Sequence, residues 1–170
     1  MEEIEKFLSN KSVAIVGNAR SIFDKNFGGN IDNHDVIIRF NRGFPENIKS
    51  QGSKTDILIL ACELTKKEIE IYNSKYVINR LSCYSNPTKL HFEKSYLNGI
   101  SKGLNANASS GLLSIEWCLK NNVKSIDLYG FDFEKTPTYY NPEGYKTKHN
   151  YSSEEERILK YQEEGKLKIF

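Results

Sequence analysis

The stretch VGNARSIFDKNFGGNIDNHDVIIRFNR, Val16 to Arg42, places a Gly-Asn turn directly after an apolar run. A glycine turn closing a buried strand is where α/β proteins bring backbone N–H groups to a phosphate. The turn Gly17-Asn18-Ala19-Arg20 is neither Gly-x-Gly-x-x-Gly nor a Gly-Lys-Ser loop. It therefore lacks the features that cradle a pyrophosphate or triphosphate. Amides both donate and accept, so Asn18 and Asn41 suit one phosphate, a ribose or a neutral base. They equally suit the turns that end strands. Ser109-Ser110-Gly111 opens an apolar-periodic segment, where hydroxyls and unpaired N–H groups can cap a helix, hold an anion, or both. His149 lies in a polar loop before the last helical segment, and Glu154 lies in that helix's first turn. Imidazole is suited to general-base work near neutral pH, but a loop position beside lysines is also that of a solvated residue. His34, in IDNHD before a buried run, reads as a turn-bonding residue, Asp32 as a loop organiser and His91 as surface. Asp132-Phe133-Glu134 lacks the second aspartate of an Asp-x-Asp metal pair and reads as a loop start.

These residues need strands and helices to bring them together. VAIVG (Val13–Gly17), DVIIRF (Asp35–Phe40) and DILILA (Asp56–Ala61) are continuous apolar runs of the kind buried in parallel sheets. YVINR and SIDLYGF predict a fourth and a fifth strand, and KLKIF a short closing one. Helices are predicted near Glu2–Leu8, over Thr65–Asn73 with Thr65 as N-cap, over Ser109–Asn122, and over the last acidic segment with Ser152 and Glu155 as a capping box. Leu81–Gly103 is poorly defined, with a possible helix late in it. Strands alternating with helices predict an α/β fold around a mainly parallel sheet. Without repeats or a linker, residues 1–170 form one domain. In such a sheet the polar stretches after the first, second and fifth strands meet at one end.

Composition narrows the function classes. The chain has 170 residues, 38% hydrophobic and 27% charged, with a net charge of +2. That balance is ordinary for a globular domain and gives no electrostatic reason to expect nucleic acid. No apolar run approaches the roughly 18 residues needed to cross a bilayer, and the acidic, amphipathic start is unlike a signal peptide. Three scattered cysteines, Cys62, Cys83 and Cys118, suggest reduced thiols rather than a zinc site. A nicotinamide oxidoreductase would want an acidic residue closing the second strand, where Arg39-Phe40-Asn41 stands.

Taken together, these stretches resemble the animal-type sialyltransferases, which use cytidine monophosphate (CMP) sugars. Gly17, Asn18, Gly28, Ile31, Asp32, His34, Asp35, Arg39 and Asn41 match that family's large motif without a gap. Ser109, Ser110, Gly111, Tyr129, Gly130 and Phe131 match its small motif. Tyr139-Tyr140 matches the aromatic pair of the third motif, and His149 with Glu154 the very small motif. The resemblance implies a Rossmann-like, variant GT-A fold. It implies inverting transfer of sialic acid, or a related ulosonic acid such as Kdo, from a CMP-sugar to a glycan hydroxyl. His149 would be the base and Glu154 would orient its loop or ring. Gly17, Asn18, Ala19, Arg20, Asn41, Ser109, Ser110, Gly111, Tyr129, Gly130 and Phe131 would surround the donor, and Tyr139 and Tyr140 would contact phosphate or acceptor. A single phosphodiester makes a metal dispensable, so no cofactor is expected beyond the donor as co-substrate.

The chain also departs from the pattern. Val13 and Val123 stand where the family has its motif-linking disulfide, as in a cytosolic bacterial or viral relative. Thr138 replaces the third-motif histidine, leaving Arg20, Lys146 or Lys148 to steady the phosphate. The family's domains are longer, so acceptor recognition could draw on a partner subunit or peripheral contact with the inner face of a membrane. The alternative is a CMP-binding module without transfer activity.

Overall fold

Successive residues of a strand face opposite sides of a sheet, and here both sides are apolar. The computed structural model describes residues 1–144 and 148–170. In chain order the elements are α1 (Glu2–Leu8), β1 (Ser12–Val16), a 3-10 turn (Arg20–Asp24), α2 (Gly28–Asp32), β2 (Val36–Phe40), α3 (Ile48–Gln51) and β3 (Ile57–Leu60). They continue with α4 (Lys66–Ile71), β4 (Tyr76–Asn79), α5 (Lys94–Ser101), α6 (Ser110–Lys120), β5 (Ser125–Tyr129), α7 (Tyr151–Glu163) and β6 (Lys168–Ile169). Val13, Ile15, Val36, Ile38, Ile57, Ile59, Ile126 and Leu128 pack with Ile4, Leu8, Leu112, Ile115, Trp117 and Ile158 in one cluster. That cluster covers one face with α1, α5, α6 and α7. Ala14, Val16, Ile37 and Tyr129 meet Ile22 and Ile31 on the other face. Leu58 and Leu60 meet Leu64, Ile69 and Tyr72 of the α4 region there. Burial on both faces is why these strands read as continuous apolar runs rather than alternating ones.

The sheet has six strands in the order β4-β3-β2-β1-β5-β6, and every strand pair is parallel. The chain lays down β1 to β4 in one direction, then crosses back through α5 and α6 to place β5 on the far side of β1. The order therefore reverses between β1 and β5. Loops leaving the carboxyl ends of these two strands diverge to opposite faces and leave a crevice between them.

Local chemistry sets the helix ends. Thr65 and Glu68 form a reciprocal capping box on α4, and Ser109 Oγ accepts from Leu112 N at 3.1 Å to cap α6. The cap of α7 is Asn150, not the predicted Ser152. Asn150 Oδ1 accepts from Ser153 N at 3.2 Å, while its Nδ2 donates to the Leu104 carbonyl at 3.1 Å. A serine could cap here but could not also reach back to Leu104, so the amide fixes the helix start two residues earlier. Arg39, inside β2, is 1% exposed. It spends its guanidinium on carbonyls, with Nε on Lys54 O at 3.0 Å and Nη2 on Gln51 O at 2.6 Å. Asp32 accepts from Ser53 N, Ser53 Oγ and Lys54 N. This arginine and aspartate brace the segment from α3 to β3.

Candidate active site

The crevice is a cleft of about 690 Å³. At its base Gly17 donates to the Tyr129 carbonyl at 2.7 Å. A Cβ on Gly17 would stand 2.3 Å from the Gly130 carbonyl oxygen, so two backbones touch where only glycine fits. Gly130 itself has φ +68°, a conformation L side chains avoid. Asn18 follows on the β1 side. Its Nδ2 donates to Phe40 O at 3.2 Å and to the Tyr140 hydroxyl at 3.3 Å. Gly43 makes room for this amide, since a Cβ there would lie 2.0 Å from Asn18 Oδ1. Asn41, at the end of β2, has φ +52°. Its Oδ1 accepts from Ala61 N at 2.7 Å and its carbonyl from the Tyr72 hydroxyl at 2.7 Å. Asn41 thus ties the ends of β2 and β3 together as well as lining the cleft.

On the opposite wall, α6 points its amino terminus into the cleft through Ser109, Ser110 and Gly111. Glu154 of α7 is 2% exposed, and its carboxylate accepts from Ser109 N at 2.6 Å and Ser109 Oγ at 2.5 Å. Burial raises the Glu154 pKa, and the two Ser109 bonds, with His149 and Arg80 nearby, only partly offset that. His149 lines the same wall. Its Nδ1 meets the Asn107 carbonyl at 2.7 Å; because a carbonyl only accepts, Nδ1 carries the proton and Nε2 the lone pair. The ring is thus oriented by Asn107, while Glu154 positions Ser109.

Gly17, Asn18, Ala19, Asn41, Ser109, Ser110, Gly111, Gly130, Phe131, Tyr140, His149 and Glu154 all line this one cleft. Tyr129 is instead buried beneath it, stacked on Phe170 with centroids 5.0 Å apart. The Tyr139 hydroxyl donates to Phe44 O at 3.1 Å and its ring packs against Phe23, so it supports Tyr140 from outside the lining. Arg20 is exposed at the start of the 3-10 turn, and its backbone N donates to Pro137 O at 3.0 Å. Arg20 is not among the residues that line the cleft. Lys148 is exposed as well, and Lys146 falls outside the described residues. Among the described residues the cations that line the cleft are Arg42, Arg80 and Lys135; Thr138 lines it as well, and its buried hydroxyl has no hydrogen-bond partner among the described residues. Arg80 was hidden in the sequence as the last residue of a strand-like run, and Gly43 because its role is to leave space. His34 lies before β2, bonded to Asn30 O and to Asp127 at 3.1 Å, at the other end of the sheet.

An all-parallel sheet with a polar cleft at its switch point is the architecture of a nucleotide-binding α/β protein. The model of glycosyltransferase family 29, the sialyltransferases, matches residues 3–89, just over half of the chain. The protein belongs to that family. A mammalian sialyltransferase structure superposes with a TM-score of 0.69 at 20% identity, covering 95% of this chain and 69% of that one. A complex of a mammalian sialyltransferase with Gal-beta-1-3GalNAc-ortho-nitrophenol gives 0.69 at 21% identity, covering 98% and 71%. The sialyltransferase CstII from Campylobacter jejuni with a substrate analogue, CMP-3FNeuAc, gives 0.61 at 16% identity, covering 94% and 79%. At these identities the likeness is one of fold. No curated protein sequence matches the chain. The family match ends before Ser109 and His149, which form the far wall of the cleft.

Proposed function

We propose that the protein transfers sialic acid or another CMP-linked ulosonic acid to a glycan hydroxyl, with inversion at the anomeric carbon. The observation that carries this reading is His149. Its Nδ1–H is committed to Asn107 at 2.7 Å, and its ring shares a cleft with the Asn18 turn and the α6 amino terminus. The acceptor oxygen bonds to the anomeric carbon while the bond from that carbon to the phosphate oxygen breaks. The electron pair leaves with CMP, and the acceptor proton passes to His149 Nε2. Asn18 and Asn41 face the nucleotide from neighbouring strands. Tyr140, which lines the cleft, is placed to give its hydroxyl to the departing phosphate. One phosphate gains a single charge on leaving, which such hydrogen bonds can stabilise without a divalent ion.

The complexes of relatives with an acceptor disaccharide and with a CMP-sugar analogue support a donor and an acceptor meeting in this cleft. A donor panel tests the reading: CMP-sialic acid, CMP-Kdo and uridine and guanosine diphosphate sugars, read by nucleotide release. Release from the CMP donors alone is expected. CMP binding with no turnover on any donor would leave a nucleotide-binding module in its place.

A further inference from the structure

Arg80 has no part in the reaction set out above, yet its guanidinium stands in the cleft. It follows β4 directly. Its Nη1 lies 3.4 Å from Ser110 Oγ, and its Nη2 donates to the Ala108 carbonyl. His149 holds the adjoining carbonyl, that of Asn107, at 2.7 Å. Cation and imidazole are therefore fixed on consecutive carbonyls of one segment, and both interact with the charge of Glu154. Among the described residues the carboxylate that acts on Arg80 is Glu154, whose two oxygens are taken by Ser109; Asp132, Glu134 and Glu143 line the cleft as well. Arginine presents five N–H donors in a planar fork, and the bonds to Ser110 and Ala108 leave part of that fork for a ligand.

We infer that Arg80 binds the carboxylate carried by the donor's anomeric carbon and so restricts the site to acidic, ulosonic donors. The inference rests on the transferase reading above. In an inverting displacement the base and the leaving group occupy opposite faces of the reacting carbon. A cation held beside the base is on the attacking side, so it is poorly placed for the departing phosphate. What it can reach is a substituent fixed to the reacting carbon, and in an ulosonic acid that substituent is a carboxylate. The surroundings fit an anion. Ser110 N–H and Gly111 N–H, at the positive end of α6, have no partner among the described residues, and Ser110 Oγ stands next to the fork. Sialic acid and Kdo share this carboxylate, so Arg80 accepts both and rejects neutral sugars.

Calorimetry on the full chain separates this role from a structural one. The probes are CMP, a non-transferable 3-fluoro CMP-sialic acid, and the carboxyl methyl ester of that analogue. Wild-type protein should bind the acid about 10- to 100-fold more tightly than the ester. Arg80→Gln should lose that preference while holding CMP within about twofold of wild type, because CMP carries no carboxylate. Arg80→Lys, which keeps the charge but not the fork, should retain part of the preference. Equal wild-type affinity for acid and ester overturns the inference, as does an Arg80→Gln variant that loses CMP and donor alike. If Arg80→Gln does not fold, the wild-type comparison and Arg80→Lys decide between the same outcomes. Wild-type protein that binds neither CMP nor donor overturns the transferase reading itself, and this inference with it.

Discussion

At the scale of single residues, His149 and Glu154 share one wall of the cleft but bond to different partners, Asn107 and Ser109. His149 is oriented by its Nδ1 bond to the Asn107 carbonyl, the geometry on which the proposed base at Nε2 rests. Glu154 reaches past the ring to the cap of α6. His149→Ala should therefore lower turnover by about 10² or more while CMP affinity, measured calorimetrically, stays near wild type. A variant that melts early instead would make the histidine a structural member of its loop. Glu154 calls for a different measurement. Burial holds its pKa above the ordinary 4.5, so folding takes up a proton in the pH window just above that value. The stability associated with that proton is fully present below the unfolded pKa and is lost as pH rises through the raised folded one. Glu154→Gln does not titrate. Like the protonated carboxyl it presents one carbonyl oxygen to Ser109, so it should lack the loss of stability that the wild type shows as pH rises. Urea unfolding at a series of pH values should show wild type losing stability relative to Glu154→Gln as pH rises above about 4.5; a difference that does not change with pH would mean that the Glu154 carboxyl does not titrate differently on folding.

At the scale of elements, the site is a consequence of how strands end. Gly17 and Gly43 both leave space, but for different neighbours. A Cβ on Gly17 meets the Gly130 carbonyl, which is backbone of the adjacent strand end and cannot move without parting β1 from β5. Gly17→Ala should cost about 1–3 kcal/mol in urea unfolding. A Cβ on Gly43 meets the amide of Asn18, a side chain that can swing away. Gly43→Ala should keep its stability and lose about tenfold in CMP affinity; the reverse pattern would place Asn18 outside the nucleotide site. The central strands were legible because β1 and β3 are almost wholly apolar and β2 departs from that only at Arg39, and α6 because Leu112, Leu113, Ile115 and Trp117 recur at helical spacing below a serine. The 3-10 turn, α2 and α3 were not, since four or five residues carry no readable period and α2 even starts on two glycines. Arg80 was illegible for a related reason. Nothing local distinguishes an arginine that ends a strand at the surface from one turned toward the amino terminus of a helix 30 positions later. Only the crossover through α5 and α6 brings the two together.

At the scale of the whole molecule, apolar packing does the work that a cross-link would otherwise do. Val13 is fully buried, and Val123 packs against the same cluster, which joins β1 to the turn before β5. Cys62, Cys83 and Cys118 are free thiols, and burial pushes the Cys118 thiol well above its ordinary pKa, leaving it unreactive. Thermal unfolding should therefore be the same with and without a reductant. Against that fixed baseline, ligand binding has a defined size. A ligand that binds only the folded state at 100 times its Kd adds about 2.7 kcal/mol. For a domain of this size each kcal/mol moves the midpoint by about 2–4 °C, so saturating CMP should raise Tm by about 5–11 °C. The cleft draws its walls from β1, β2, β3, β4 and β5 and from the starts of α6 and α7. A ligand in this cleft would touch the ends of five strands, so the whole transition should shift as one. His149→Ala should keep the full shift and Asn18→Ala should lose it. A wild-type midpoint unmoved by saturating CMP would mean that the crevice between β1 and β5 does not bind the nucleotide.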